Sequence, residues 1–250
     1  MPAHRGIVLV HSPLLGPCSW EPVALVLRQR GFTTAVPSMI DAVGGEPPYY
    51  PAMAGTVATR IIDEFAATGV TEIPPAEVLL VGHSGAGALL PTIAGAYGGT
   101  VSGAVYVDAL LPHPGRSWFD TAPVELAEGL RQLTVDGYLP PWHEWFPPEM
   151  LDPLLPGGTL RDRFLAEIPA LPLAYFHERA PHDPPLPQRH CTYVQLSEGY
   201  RDASVAAERR GWIVFRTNAD HLALLTQPET VADLVESAMV AMAGDEASGK

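Results

Sequence analysis

The sequence predicts an α/β fold in which a mostly parallel sheet is flanked by helices. The chain has 250 residues, of which 47% are hydrophobic and 17% are charged, so it fits one compact domain with a substantial core. Short apolar runs alternate along the chain with helical patterns. Such alternation is typical of βαβ units, whose crossover helices cover both faces of a parallel sheet.

The elements follow in order from this alternation. Buried strands are predicted at 7–10, 33–36, 78–81, 104–107, 193–196 and 212–215. Helices are predicted at 23–30, 57–67, 85–97, 203–210 and 230–242. We therefore assign residues 1–110 and 190–243 to the α/β core and expect a flexible tail at 244–250.

Residues 111–189 interrupt this alternation of strands and helices. They contain no convincing strand, many prolines and a concentration of aromatic side chains. Long insertions in compact domains are usually functional or disordered, and this many large apolar groups argue against disorder. We predict a helical cap over the carboxyl edge of the sheet; an additional packing layer without a binding role is the alternative. The substrate pocket is expected beneath it, lined by Trp118, Trp142, Trp145, Phe146 and His83.

Charge and composition exclude several classes of function. A formal net charge of −13 without a block of lysine or arginine argues against nucleic-acid and membrane-surface partners. The sequence contains no P-loop, dinucleotide fingerprint or HExxH motif, and its two cysteines suggest neither a disulfide framework nor a zinc site. We expect a cytoplasmic protein without cofactor or metal, a monomer or homodimer, acting on a small molecule.

The strongest local signal is an apolar strand that runs into Gly82, His83 and Ser84 and then into a helix. This is the context of the nucleophile elbow G-x-S-x-G, whose strained turn projects the serine hydroxyl above the sheet. Ala86 takes the place of the last glycine, and Gly87 follows it. Ser84 is therefore the predicted nucleophile; a helix N-cap or a phosphate cradle is the alternative.

A histidine follows the last predicted strand, at the sheet edge where the elbow also lies. His221 comes after a loop that ends in Ala219 and Asp220. The carboxyl ends of parallel strands meet at one edge, so His221 can reach Ser84. Histidine titrates near neutrality and can accept and return the serine proton, which makes His221 the predicted general base.

Together these motifs resemble the α/β-hydrolase superfamily along nearly the whole chain. The segment 8–11 with Trp20, the elbow at Ser84, and 219–221 are similar to the plant salicylate-methylesterase and hydroxynitrile-lyase branch. The resemblance implies the α/β-hydrolase fold, a Ser–Asp–His triad, and backbone amides that stabilise an oxyanion.

The acid of the implied triad has two candidate positions. In the esterase branch it follows the strand matched by 193–196, but this chain has Gly199 at the expected place, with Glu198 one residue earlier. Haloalkane dehalogenases place an acid at the end of the preceding strand, in a segment similar to 105–112, where this chain has Asp108. Asp108 is the predicted acid, with Glu198 and a purely structural aspartate as the alternatives.

The oxyanion hole departs from the resemblance. One donor is expected at the amide of Gly85, directly after the nucleophile. The other donor position is Pro13, which has no N–H. Either the amide of Leu14 donates, or the hydroxyl of Ser12 substitutes, or the hole is incomplete.

The favoured function is hydrolysis of an ester, thioester or lactone of a small to medium apolar substrate through an acyl-enzyme. Two alternatives remain on the same fold. One is a lyase, cyclase or C–C bond-cleaving enzyme that uses His221 as base, and the other is a ligand receptor with vestigial turnover.

Overall fold

A computed structural model describes residues 5–67, 77–182, 186 and 190–248. Six parallel strands form one sheet: β1 (Arg5–Val10), β2 (Thr34–Ala35), β3 (Glu77–Ser84), β4 (Thr100–Ala109), β7 (Cys191–Gln195) and β8 (Ile213–Arg216). Their order across the sheet is β2-β1-β3-β4-β7-β8. The predicted α/β fold with a mostly parallel sheet is confirmed.

Helices cover both faces of this sheet. Those outside the interval between β4 and β7 are α1 (Glu21–Gln29), α2 (Ile40–Val43), α3 (Tyr49–Ala67), α4 (Leu90–Tyr97), α9 (Arg201–Arg209), α10 (Ala223–Thr226) and α11 (Pro228–Ser248). Side chains of β1, β3 and β4 alternate between two apolar clusters, one packed against α3 and α4 and the other against α1 and α11. The near-continuous apolar strands are thus buried on both faces, as parallel strands require.

Helices α3 and α11 extend well beyond their predicted limits. Helix α3 begins at Tyr49, eight residues before the predicted start, with Pro51 in its first turn. Proline is tolerated there because the first N–H groups of a helix have no partner within it. Helix α11 continues to Ser248, into the predicted tail at 244–250, whose residues 249 and 250 lie outside the described residues.

Between β4 and β7 the chain forms what we call the inserted segment, residues 111–182. It contains α5 (Val124–Leu133), α6 (Pro148–Leu151), α7 (Gly158–Ala166) and α8 (Leu173–His177). The expectation that this interval lacks strands was wrong, because β5 (Tyr138–Leu139) pairs antiparallel with β6 (Leu171–Pro172). Two-residue strands carry too little alternation to be recognised in sequence. Residues 183–185 and 187–189 of the predicted cap lie outside the described residues.

The inserted segment packs onto loops at the carboxyl edge of the sheet. A third apolar cluster joins Leu151 and Phe164 of the segment to Leu15, in the loop after β1, and to Leu222, which follows His221. Two glutamates add hydrogen bonds: Glu178 accepts from the amides of Tyr49 and Tyr50 at the start of α3, at 2.7 and 2.9 Å. Glu167 accepts from the amide of Cys18 at 2.7 Å. The segment thus lies over the edge where β3 ends at Ser84.

Cys18 and Cys191 are both buried, and neither forms a disulfide in the described part of the chain. Burial raises the pKa of Cys18 to about 11 and that of Cys191 to about 12. Among the described helices, none combines the length and the apolar character that a transmembrane span requires.

Candidate active site

Ser84 ends β3 in a strained backbone conformation. Its φ of 55° and ψ of −126° lie where residues other than glycine are uncommon, and the residue is buried. The strain is held in place because the Ser84 carbonyl accepts a hydrogen bond from the amide of Leu110, at 2.9 Å, just beyond β4. A 3₁₀ turn, Gly85–Ala88, then leads into α4. This is the strand–turn–helix geometry of a nucleophile elbow.

The small residues of the elbow are required by close approaches, and these explain the altered motif. A Cβ on Gly82 would lie 3.0 Å from the side chain of Leu90 in α4. A Cβ on Gly87 would lie 2.1 Å from the carbonyl oxygen of Leu110, so this position excludes every larger residue. Ala86 is fully buried with its methyl group accommodated. The position with the tightest steric requirement is therefore Gly87, one residue after the last position of the motif.

His221 and Asp108 lie together at the same edge of the sheet. Nδ1 of His221 donates to Oδ2 of Asp108 at 3.0 Å, and the Asp108 side chain is fully buried. This hydrogen bond fixes the neutral imidazole with its proton on Nδ1, which leaves Nε2 as the nitrogen that can accept a proton.

Asp108 is held by the loop that follows the neighbouring strand β7. Its Oδ1 accepts from the amides of Leu196 and Ser197 at 2.7 and 3.1 Å, and its Oδ2 from the hydroxyl of Ser197 at 2.5 Å. The backbone of Asp108 has a φ of 42°. Next to it, the buried hydroxyl of Tyr193 accepts a hydrogen bond from the amide of Ala109 at 3.0 Å and donates one to the carbonyl of Ala109 at 2.9 Å. These contacts offset the cost of burying a carboxylate and fix its orientation.

The structure leaves Glu198 apart from this group. Glu198 is exposed and forms an ion pair with Arg201 at 3.0 Å, three residues along the chain. Asp108 is therefore the carboxylate that the fold brings to His221.

The loop after β1 lies against the elbow and is ordered by buried polar contacts. Nε2 of His11 accepts from the amide of Met39 at 3.0 Å, and Nδ1 donates to the carbonyl of Ser12 at 2.8 Å. Burial lowers the pKa of His11 to about 4, so the ring is neutral and serves as a fixed spacer. The indole N–H of Trp20 adds a hydrogen bond to the carbonyl of Val10 at 3.0 Å.

The amide of Leu14, one of the expected oxyanion donors, is directed at a side chain in the same loop. It donates to Oγ of Ser12 at 3.2 Å. The Ser12 hydroxyl thus accepts from Leu14 and keeps its own proton available for donation. Oγ of Ser12 lies close to the elbow, since a Cβ built on Gly85 would be 3.0 Å from it. Of the expected alternatives, this geometry favours the Ser12 hydroxyl beside the Gly85 amide.

A family comparison agrees with this geometry. Residues 7–234, which are most of the chain, match the model of the alpha/beta hydrolase family. The chain belongs to the alpha/beta hydrolase family. The family match supports an enzyme of the hydrolase class. No curated protein sequence matches the chain.

Solved structures share the fold of this α/β-hydrolase at low sequence identity. An extracellular α/β-hydrolase from a Paenibacillus species, described as homologous in structure and function to tobacco salicylic acid binding protein 2, aligns with a TM-score of 0.65 and 19% identity, over 94% of this chain and 98% of that one. A pyrethroid hydrolase from Sphingobium faniae aligns at 0.60 and 18%, over 93% and 96%. Tomato methylketone synthase I, in complex with β-ketoheptanoate, aligns at 0.61 and 16%, over 96% and 99%.

Two further rings pack against the imidazole of His221 in this hydrolase. The ring of Tyr200 is stacked on it at a centroid distance of 4.8 Å and an angle of 6°. The ring of His83 lies at 4.5 Å and 33°, and its Nε2 donates to the carbonyl of His221 at 3.0 Å. Burial, and then the nearby His221, lower the pKa of His83 well below its ordinary value. His83 is fully buried, so it supports His221 from within the core.

Tyr200 is a site residue that the sequence analysis missed. Its hydroxyl lies 3.3 Å from Oγ of Ser84. A lone tyrosine after a strand carries no motif, and only the position of the 3₁₀ turn Glu198–Tyr200 at the carboxyl edge could have drawn attention to it.

The aromatic residues expected in the pocket have different surroundings. Trp142 packs against the apolar cluster that contains Leu15 and Leu222, and it also contacts Phe146 at 5.7 Å between ring centroids. Phe146 is 37% exposed. Trp118 and Trp145 instead pack toward the α3 and α4 face and contact Phe176, at 5.0 and 6.5 Å. Of these four aromatic residues, Trp142 is thus the one packed against the cluster that contains Leu222, the neighbour of His221.

One cavity, of about 300 Å³, lies beside α4. Its described lining includes Tyr106, His113 and Trp212, and contains neither Ser84 nor His221. No group of three or more His, Cys, Asp or Glu side chains in the described part of the chain could hold a metal ion.

Proposed function

We propose that this α/β-hydrolase is a serine hydrolase that cleaves an ester, thioester or lactone of an apolar substrate through an acyl-enzyme. The observation that carries the proposal is the contact of His221 Nδ1 with the buried Asp108, at 3.0 Å, together with the strained Ser84 at the end of β3, the strand paired with β4. A buried acid, an oriented imidazole and a strained serine at one sheet edge are the parts that acyl transfer requires. The family match is consistent with the same reaction class.

Acylation begins when Ser84 Oγ attacks the carbonyl carbon of the substrate. Nε2 of His221 takes the hydroxyl proton, and the imidazolium that forms is stabilised by Asp108 through the bond to Nδ1. The same proton then passes to the leaving oxygen or sulfur. In deacylation Nε2 takes a proton from water, the resulting hydroxide attacks the acyl carbon, and the proton returns to Oγ as the C–Oγ bond breaks.

The oxyanion is held by two donors of different kinds. The amide of Gly85 supplies the donor that directly follows the nucleophile. The Ser12 hydroxyl supplies the other donor, because the amide of Leu14 already donates to the Ser12 oxygen and Pro13 has no N–H. A hydroxyl held in place by an accepted hydrogen bond is partly preorganised, which is what oxyanion stabilisation needs.

The proposal is tested by active-site labelling with a fluorophosphonate, followed by peptide mapping. We expect stoichiometric modification at Ser84 and none in Ser84→Ala, with hydrolysis of 4-nitrophenyl butyrate lost in parallel. Ser102→Ala is the matched control, because Ser102 is a partly buried serine that donates to the carbonyl of Val78, away from the elbow, so this variant should keep labelling and turnover. A purified, folded protein that resists the probe and is inert on nitrophenyl esters would contradict the proposal.

Replacing Ser12 by alanine tests the oxyanion assignment separately. Loss of one oxyanion donor lowers turnover by roughly 100-fold to 1000-fold in other enzymes. We expect Ser12→Ala to reduce kcat for 4-nitrophenyl butyrate by about that factor, with little change in KM. Unchanged kcat would exclude the Ser12 hydroxyl as a donor.

A lyase or C–C bond-cleaving reaction is the second candidate, because Pro13 removes a backbone donor that acyl transfer ordinarily uses. In such a reaction His221 acts as base without a lasting acyl-enzyme. The structural likeness to tomato methylketone synthase I adds to this candidate. It predicts that Ser84→Ala keeps turnover of a β-keto acid whereas His221→Ala abolishes it; loss of turnover in both variants would favour the hydrolase instead.

A further inference from the structure

Tyr200 lies at the centre of the proposed reaction. Its hydroxyl is 3.3 Å from Oγ of Ser84, and its ring is stacked on His221 at 4.8 Å and 6°. The phenol therefore touches the attacking atom, while its ring position is fixed by the same imidazole that accepts the serine proton.

The Tyr200 hydroxyl is suited to donate to Ser84. Burial raises the pKa of Tyr200 to about 12, so the phenol keeps its proton near neutral pH. When the proton of Ser84 is directed at Nε2 of His221, Oγ has lone pairs left and can accept from Tyr200.

We propose that Tyr200 donates a hydrogen bond to Oγ of Ser84 that slows acylation and accelerates deacylation. The inference rests on the proposed function, since it requires an acyl-enzyme on Ser84. Its basis is the change in Oγ as an acceptor along the reaction: a serine hydroxyl oxygen, and still more a departing alkoxide, accepts more strongly than the same oxygen in an ester.

In acylation, Oγ becomes an ester oxygen, and the hydrogen bond from Tyr200 weakens as the C–Oγ bond forms. In deacylation, the C–Oγ bond breaks, its electron pair stays on Oγ, and His221 returns the proton while Tyr200 stabilises the developing charge. Tyr200 keeps its own proton throughout, so it needs no further proton acceptor. The stacked ring holds the hydroxyl at the same place in both half-reactions.

Tyr200→Phe is the direct test, because phenylalanine keeps the stacked ring and removes only the hydroxyl. One neutral hydrogen bond corresponds to a rate change of about fivefold. We expect fluorophosphonate labelling of Ser84 to become about threefold to fivefold faster, and steady-state turnover of 4-nitrophenyl butyrate to fall by about fivefold. A pre-steady-state burst of nitrophenol should grow, because acyl-enzyme accumulates.

The matched control is Tyr97→Phe, at the end of α4. The hydroxyl of Tyr97 is buried and has no hydrogen-bond partner among the described residues, so its removal should change neither rate. If Tyr200→Phe lowers labelling and turnover together, Tyr200 has a structural role only, and unchanged rates would equally overturn the inference. A wild-type protein that the probe does not label contradicts the proposed function and this inference with it.

Discussion

The ends of β4 and β7 lie side by side at the carboxyl edge of the sheet. The end of β4 supplies the carboxylate that binds His221, and the end of β7 supplies donors to that carboxylate. At the end of β4, Asp108 is fully buried, has a positive φ and meets His221. At the end of β7, Glu198 is exposed, while the amides of Leu196 and Ser197 and the Ser197 hydroxyl all donate to Asp108.

The position of the acid in space is thus more constrained than its position in the chain. Parallel neighbouring strands deliver their loops to the same place, so either loop can carry the carboxylate. The loop that does not carry it supplies the donors that make its burial tolerable.

Asp108→Asn should have the largest effect. An amide in place of the carboxylate favours the wrong tautomer of His221, and in another serine hydrolase this change lowers kcat by about 10⁴-fold. We expect a loss of that order in 4-nitrophenyl butyrate hydrolysis, with an unchanged circular dichroism spectrum. Asp136→Asn, at an exposed turn that shares the positive φ, is the matched control and should keep full activity. Activity within tenfold of wild type would remove Asp108 from the triad.

Ser197→Ala should have an intermediate effect. It removes the hydroxyl donor at 2.5 Å from Oδ2 of Asp108, the oxygen that also binds His221, and leaves both backbone amides in place. A hydrogen bond to a charged group contributes about 1.5 to 3 kcal/mol, so we expect kcat to fall by about tenfold or more. Ser197→Thr, which keeps a hydroxyl, should recover most of the loss. Wild-type activity of the alanine variant would show that the amides alone orient the acid.

Glu198→Gln should have the smallest effect. The carboxylate is exposed, and its ion pair with Arg201 lies within a surface turn. We expect kcat/KM to change by less than about twofold. If this variant instead lost activity as Asp108→Asn is expected to, the acid would belong to the loop after β7, and the roles assigned to the two strand ends would be wrong.

The two regions also differ in how far sequence predicts them. The elbow, the strand ends and the loop of His221 carry motifs whose steric reasons are local, such as the approach of Gly87 to Leu110. Asp108 could be chosen over Glu198 only by resemblance, because which of two adjacent loops carries the acid depends on pairing between distant strands. Tyr200 could not be assigned, and the Ser12 hydroxyl stayed one of three alternatives for the oxyanion hole, since both roles depend on single interatomic distances.

Strands and helices away from the site also differ in how strongly their sequence specifies them. The long apolar strands of the core were predicted because burial on both faces leaves a strong pattern. The antiparallel pair β5 and β6 was missed because its two-residue strands are specified by contacts within the inserted segment. The early start of α3 was missed because Pro51 suggests a break in sequence, although a first helical turn accommodates it.

The hydrogen bonds of Glu178 and Glu167 have a consequence for motion. Each carboxylate belongs to the inserted segment and binds backbone amides of the core, at the first turn of α3 for Glu178 and at the amide of Cys18, before α1, for Glu167. Lifting the segment from the sheet breaks these bonds and leaves amide donors at the ends of two core elements without partners. Any opening of the segment would therefore be coupled to fraying of the first turn of α3. Amide hydrogen exchange at Tyr49 and Tyr50 would therefore report any lifting of the inserted segment from the core.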